Sequence, residues 1–130
     1  MGIRAGIVVT GTEVLTARTT DRNGPWLSEQ LQGVGLEVAW ITVVGDRPED
    51  LLAALEWQRD QGAGLICTTG GLGPTEDDLT AEVVSRFQQR PMTLDEALEG
   101  RIWKILEPLM KRWPDLDPEA IRHSNRKQAL

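Results

Sequence analysis

Short apolar runs alternate with amphipathic segments along the first two thirds of the chain, and this alternation constrains the fold most. Apolar runs cover residues 3–9, 36–44 and 64–67. After each run, apolar residues recur at helical spacing. Runs without polar alternation are typical of strands buried on both faces of a sheet. The order strand, helix, repeated three times up to about residue 89, predicts a parallel sheet covered on both faces by helices.

Proline and glycine mark the ends of the first two predicted helices. Pro25 stands near the start of the first and Gly35 just past its end, as the positional preferences of these residues predict. Pro48 occupies the first turn of the second helix, and two acidic residues follow it, which favours a helix N-terminus. The predicted buried face of this helix is Leu51, Leu52 and Leu55.

The last third of the chain contains helical patterns only. Thr93 and Glu96 are spaced as a capping box, and Pro108 is expected to kink or end the helix that follows. Residues 117–119 (DPE) indicate another helix start. The apolar stripe of the first of these helices is Leu94, Leu98, Ile102, Ile105, Leu106 and Leu109.

Composition excludes several classes of function. The 130 residues are about one domain in size, so residues 1–130 are treated as a single domain. The net charge of −6 argues against nucleic-acid or anionic-membrane partners. Cys67 is the single cysteine, and no apolar run is long enough to span a bilayer or to serve as a signal peptide. We therefore expect a cytoplasmic protein.

A glycine-rich segment, residues 68–80 (TTGGLGPTEDDLT), joins the third predicted strand to the third predicted helix. Gly70, Gly71 and Gly73 have no Cβ, so their backbone N–H groups can approach a ligand closely. Such a turn before a helix suits a phosphate group. We refer to residues 70–73 as the glycine turn.

The ends of the three predicted strands are all polar. They are residues 10–13, 45–47 and 68–71. Open parallel sheets bind ligands at the carboxyl ends of their strands, so Glu13, Asp46 and Asp78 are expected around the glycine turn. Carboxylate oxygens suit Mg²⁺ or a similar ion that bridges phosphate oxygens, and such an ion could generate a nucleophilic hydroxide.

Helix capping is an alternative explanation for several of these residues. Thr75 and Asp78 would form a helix cap in which Asp78 accepts a hydrogen bond from the Thr75 amide, and Asp46 would cap the helix that starts near Pro48. Asp21 and Asn23 precede the first helix and could be its cap. Other polar residues have a simpler alternative, which is solvent exposure: Glu13, Arg18 and His123.

Four segments together resemble the N-terminal domain of the CinA family (competence/damage-inducible protein CinA), within the MoaB/MogA-like molybdopterin-binding superfamily. They are residues 9–15 (VTGTEVL), 20–23 (TDRN), 44–46 (VGD) and 68–80. The resemblance implies a three-layer α/β/α fold with a mainly parallel sheet and a site for a phosphorylated, nucleotide-like ligand.

The resemblance also implies an activity: hydrolysis of ADP-ribose to AMP and ribose 5-phosphate, dependent on a divalent metal, Mg or Co. Asp46 and Asp78 correspond to the two aspartates of the superfamily, and are predicted as catalytic residues and metal ligands. The predicted ligand- and phosphate-binding residues are Gly11, Thr12, Glu13, Asn23, Thr69, Gly70, Gly71, Gly73 and Thr75.

Two other functions remain open at this point. One is molybdopterin binding or adenylylation, although Leu72 replaces the threonine usual in that branch. The other is a non-catalytic module that binds a nucleotide and forms homo-oligomers. Residues 125–130 resemble a family segment that normally continues, and many family members carry a C-terminal amidase domain. We therefore expect an incomplete domain.

Overall fold

The computed structural model describes residues 2–130 and contains one parallel sheet of three strands. Strands β1 (Arg4–Thr10), β2 (Glu37–Val44) and β3 (Leu65–Thr69) are arranged in the order β2-β1-β3. The central strand β1 is parallel to both neighbours, and its register to β2 shifts between Ala5 and Gly6. The predicted parallel sheet and α/β fold are confirmed.

Helices connect the strands and cover both sides of the sheet. The first long helix, Asn23–Gly33, ends close to Gly35, as predicted, and Gly35 has a φ of +89°. Pro48 is the first residue of the next long helix, as predicted. The six helices of the described chain are α1 (Thr12–Leu15), α2 (Asn23–Gly33), α3 (Pro48–Asp60), α4 (Thr80–Gln88), α5 (Glu96–Arg112) and α6 (Pro118–Gln128).

The core lies between β1 and two of these helices. Strand β1 is buried from its second residue onward, which confirms a strand covered on both faces. Val8 of β1 packs with Leu51 and Leu55 of α3 and with Val83 of α4. Each of these four side chains is less than 5% exposed. Burial of an aliphatic side chain of this kind contributes about 1.5–3 kcal/mol to stability.

A fully buried glutamine links α3 to the sheet. The Gln58 side-chain amide donates to the Ile7 carbonyl and to the Thr42 hydroxyl, both at 3.1 Å. It lies over Gly6, where a Cβ would overlap the glutamine Oε1. The register shift of β1 therefore coincides with the place where this polar side chain enters the core.

The C-terminal helices differ in part from the sequence prediction. The N-cap of α5 is Asp95, whose carboxylate accepts from the Leu98 amide at 2.9 Å, so the predicted capping box is wrong. Pro108 lies inside α5 and does not end it, and none of the α5 residues is fully buried. Helix α6 begins at Pro118, as predicted. Within residues 2–130 no helix combines the length and apolarity needed to cross a bilayer.

Candidate functional site

The glycine turn lies at the carboxyl end of β3 and is held by the start of α4. The Thr80 amide donates to the Gly71 carbonyl at 3.2 Å, and the Thr80 hydroxyl donates to the Gly70 carbonyl at 2.8 Å. Gly70 and Gly71 have φ of +94° and +69°, a region that favours glycine. A Cβ on Gly71 would also overlap the Thr80 hydroxyl. The turn therefore requires glycine for both its conformation and its packing.

The ends of β1 and β2 are joined beside this turn. The Gly11 amide donates to the Val44 carbonyl at 3.0 Å. Thr12 and Asp46 then bond reciprocally: the Asp46 amide donates to the Thr12 hydroxyl at 3.2 Å, and the Thr12 amide donates to Asp46 Oδ2 at 3.4 Å. Asp46 does not cap α3, whose N-cap is Arg47 without a side-chain cap bond. Its exposed carboxylate is oriented instead by the amide of Thr12, the first residue of α1.

A small cavity of about 10 Å³ lies between the ends of β1 and β2 and the glycine turn. That volume holds about one water molecule or one ion. Two carboxylate residues, Asp46 and Asp77, line it together with Thr10, Gly71 and Thr80. The rest of the lining includes the cationic Arg47 and the apolar residues Pro48, Leu51, Leu79 and Val83, so oxygen donors cover only part of this space. The aspartate that shares this cavity with Asp46 is Asp77.

The alternative of a helix cap at Thr75 and Asp78 is wrong, because the N-cap of α4 is Leu79; Asp78 instead closes the turn that begins at Thr75. Its Oδ2 accepts from the Thr75 hydroxyl at 2.6 Å and from the Thr75 amide at 3.0 Å. These two hydrogen bonds, the hydroxyl first, hold the pKa of the Asp78 carboxyl below its usual range, and the Gly73 amide and the Lys127 ammonium act in the same direction. Asp78 is therefore ionised at neutral pH and fixes the loop that follows the glycine turn.

A polar cavity of about 450 Å³ lies on the other side of Gly70. Glu13 and Asn23 line it, together with Thr69. The Asn23 side-chain amide donates to the Thr69 hydroxyl at 2.9 Å, while its backbone amide is capped by Asp21 Oδ1 at 3.0 Å. Asp21 thus accepts from the first amides of α2, whose N-cap is Arg22, while Asn23 is the first residue of the helix and bridges it to the end of β3. Glu13 is exposed at the rim.

A third cavity, of about 360 Å³, separates the glycine turn from α6, and we call it the α6 cavity. Gly71, Gly73 and Asp78 line one side of it, and Lys127 lines the other. A Cβ on Gly73 would come within 2.6 Å of Asp78 Oδ2, so the backbone passes close to that carboxylate. Three cavities of different chemistry therefore surround one glycine turn.

The family model described as "Probable molybdopterin binding domain" matches residues 6–107, most of the chain. The chain belongs to this family. The match contains the carboxyl end of each strand and the complete glycine turn. The superfamily resemblance inferred from the motifs is thereby confirmed.

Similar proteins include two that are named CinA-like. The chain is 58% identical over 130 residues to a CinA-like protein of Mycolicibacterium gilvum (strain PYR-GCK), covering all of this chain and 31% of that protein. It is 55% identical to a CinA-like protein of Mycobacterium tuberculosis (strain H37Rv), covering 98% of this chain and 30% of that protein. The chain of this family member thus spans about a third of the length of these relatives.

Solved structures agree with the fold. A CinA protein of unknown function from Thermoplasma acidophilum superposes with a TM-score of 0.70 at 26% identity, over 93% of this chain and 68% of that one. The molybdopterin biosynthesis enzyme MoaB from Thermus thermophilus superposes with a TM-score of 0.61 at 29% identity, over 65% of this chain and 54% of that one.

The predicted site residues of this family domain lie at one end of the sheet. The glycine turn and Asp46 line the small cavity, Glu13, Asn23 and Thr69 the polar cavity, and Asp78 the α6 cavity. Gly11 is buried between strand ends, while Thr12 and Thr75 are hydrogen-bond partners of the two aspartates.

Two lining residues were not singled out by the sequence. Asp77 stands beside Asp78 in the motif, and only the conformation of the loop shows which of the two faces Asp46. Lys127 lies far along the chain in a charged helix, so no local pattern connects it with the glycine turn. The roles of Asp46 and Asp78 in catalysis remain predictions.

Proposed function

We propose that this domain hydrolyses ADP-ribose to AMP and ribose 5-phosphate with a divalent metal, Mg or Co. The single observation that supports it best is the small cavity of about 10 Å³ between Asp46 and the glycine turn. Asp46 and Gly71 line it together, and a carboxylate beside a glycine backbone is an arrangement that suits a divalent ion and a phosphate. The CinA-like names of similar proteins agree with the family resemblance, and that resemblance is what implies this activity.

Asp46 is the first proposed metal ligand, because its exposed carboxylate is held in place by the Thr12 amide. Asp78 is the second, through Oδ1, since Thr75 occupies Oδ2. Asp77 is an additional candidate because it shares the small cavity with Asp46. Residues 2–130 contain no group of three or more metal-binding side chains, so these aspartates would hold an ion only together with oxygens of the bound ligand and water.

In the proposed reaction water adds to a phosphorus of the pyrophosphate, and the bridging P–O bond breaks to release the two monophosphates. A bound divalent ion supplies charge neutralisation and lowers the pKa of the attacking water. The glycine turn positions the pyrophosphate through its N–H groups. Glu13 and Asn23 line the polar cavity. There the Glu13 carboxylate can accept hydrogen bonds from ribose hydroxyls, and the Asn23 side-chain amide can donate to them.

The experiment is incubation of the purified protein with ADP-ribose and Mg²⁺ or Co²⁺, with AMP measured by chromatography. Asp46→Asn should lower kcat by about a hundredfold or more, because it removes a ligand charge while keeping the shape. Asp60→Asn is the matched control, since Asp60 is exposed at the end of α3 and pairs with Arg59. Absence of AMP with the unmodified protein and either metal would disprove the proposal.

The other aspartates separate the possible ligand sets. If Asp78 is a metal ligand, Asp78→Asn raises the metal concentration needed for half-maximal activity. If Asp77 is the partner of Asp46, Asp77→Asn has that effect instead, and Asp78→Asn acts through stability of the loop. Binding of ADP-ribose without AMP formation would favour the non-catalytic nucleotide-binding module.

Molybdopterin binding is the second candidate, because the family description and the similar MoaB structure both refer to molybdopterin. Leu72 counts against it: the side chain is 63% exposed on the glycine turn, where the cofactor-biosynthesis branch has threonine. Titration with molybdopterin followed by fluorescence tests this function. Saturable binding that ADP-ribose does not displace would support it over hydrolysis.

We also propose a cytoplasmic location, a homo-oligomeric state, and no nucleic-acid or membrane partner. The net charge of −6 supports the absence of polyanionic partners, because like charges repel at the surface. A nucleotide ligand then depends on local positive charge and on the backbone of the glycine turn.

A further inference from the structure

One residue that lines the α6 cavity is a lysine, and the proposed reaction gives it no role. Lys127 lies in the last turn of α6 and is half-buried. It faces the glycine turn across a cavity of about 360 Å³. Residues 68–80 include no lysine or arginine. A phosphate on this turn must therefore obtain any side-chain positive charge from another element of the fold.

Three contacts fix the helix that carries this lysine. The Asp95 amide donates to the Ala129 carbonyl at 2.9 Å. The Asn125 side chain, 2% exposed, donates to the Glu99 carbonyl at 3.0 Å, and Arg126 pairs with the Glu99 carboxylate at 3.0 Å. The last two turns of α6 are thus anchored to the start of α5. Contact between Lys127 and a ligand therefore requires little further ordering of the backbone.

The charges around the cavity leave the lysine ammonium available. Asp78 lines the same cavity, but its Oδ2 already accepts two hydrogen bonds from Thr75. Glu82 also lines the cavity and is exposed, so water and salt screen its charge. Within residues 2–130, Lys127 forms no ion pair at 4.0 Å or less.

We propose that Lys127 is a phosphate-binding residue, which contacts the phosphate groups of a ligand held on the glycine turn. The cavity volume lies within the range of about 300–1,000 Å³ that is usual for small-molecule sites. Its lining also includes the apolar residues Leu72 and Met92. The identity of the ligand as ADP-ribose rests on the proposed function. The binding of a phosphate group by Lys127 does not depend on it.

The test is isothermal titration of the purified protein with ADP-ribose and, separately, with inorganic pyrophosphate. Lys127→Gln should weaken binding by about ten- to thirtyfold, the usual loss for a charge-assisted hydrogen bond at a partly exposed site. Glu82→Gln should change binding far less than Lys127→Gln does, because water and salt screen the exposed Glu82 carboxylate. Lys104→Gln is the matched control: Lys104 is exposed on α5 and lines none of the three cavities.

Circular dichroism melts establish that each variant is folded before it is titrated. Lys127→Arg keeps the charge and should restore most of the affinity lost in Lys127→Gln; a loss that arginine does not reverse would overturn the proposal. Unchanged affinity in Lys127→Gln would also overturn it. If the protein binds pyrophosphate through Lys127 but forms no AMP from ADP-ribose, the proposed hydrolysis fails and the phosphate site stands.

Discussion

Asp78 has a structural role in the loop after the glycine turn and is also a proposed metal ligand. Its Oδ2 holds the Thr75 amide and hydroxyl, which fixes the loop between the glycine turn and α4. Its Oδ1 is free of the Thr75 bonds, so the structural role does not exclude metal binding. Because the folded-state pKa is lowered, the ionised carboxylate stabilises the fold above the unfolded pKa, and this stabilisation is lost as pH falls through the folded value.

At the residue scale, Gly71 provides a sharp prediction. Gly71→Ala should destabilise the fold by about 2 kcal/mol or more, because φ is +69° and the added Cβ overlaps the Thr80 hydroxyl. Gly100→Ala is the control: it lies inside α5 with no atom near its Cβ position, and should stabilise by about 0.5–1 kcal/mol. Urea unfolding followed by circular dichroism measures both. Equal effects of the two substitutions would contradict the prediction.

At the element scale, the sequence predicted the features of strands and helices that depend on residues close together in the chain. The strands, the start of α3 at Pro48 and the end of α2 near Gly35 follow from apolar runs and from proline and glycine preferences, which act within a few residues. The burial of the apolar stripe on α5 was not predictable in this way. Periodicity identifies an apolar face, but not the element that covers it, and Ile105 of that stripe is 68% exposed.

In the candidate site too, some features were predictable from the sequence and others were not. The convergence of the glycine turn with Asp46 follows from parallel topology, which brings the strand ends together. The reciprocal bonds of Asp46 with Thr12 were not predictable, because they join two strand ends that are distant in sequence. The approach of Lys127 to the turn depends on how α6 docks on α5, which no local pattern encodes.

The contact between α3 and β1 provides a prediction for a pair of elements. Gly6→Ala should destabilise by about 1–3 kcal/mol, since its Cβ overlaps Gln58 Oε1. Gln58→Ala should also destabilise, by about 2–4 kcal/mol, through a cavity and two lost hydrogen bonds. The double variant should cost at least about 1 kcal/mol less than the sum, because the shortened side chain makes room for the new methyl. Strict additivity in urea unfolding would show that Gln58 does not restrict position 6.

At the scale of the whole molecule, charge and shape act together on the proposed site. The net charge of −6 repels a nucleotide at long range, yet one cationic residue lines each of the three cavities around the glycine turn. These residues are Arg47, Arg22 and Lys127 in the small, polar and α6 cavities. Local charges of this kind compensate for the overall field at contact distance, where screening by salt is weakest.

The two edge strands of the sheet predict that the whole molecule self-associates. Within residues 2–130 the outer strands β2 and β3 each pair on one side only. Their exposed apolar residues include Ile41, 45% exposed, and Leu65, 40% exposed. Unpaired strand edges with apolar side chains are templates for pairing between chains. We therefore expect light scattering to give a mass above the 14.4 kDa of one chain.

Charge placed on an edge strand should oppose this association. Leu65→Lys should shift the protein towards monomer, because a lysine on β3 disfavours edge pairing. Val34→Lys is the matched control, since Val34 is 76% exposed at the end of α2 and lies on no strand. Both variants change the net charge equally, so a selective effect of Leu65→Lys assigns association to the β3 edge. A monomer at all concentrations of the unmodified protein would refute self-association, and equal effects of the two variants would assign it to charge and not to the strand edge.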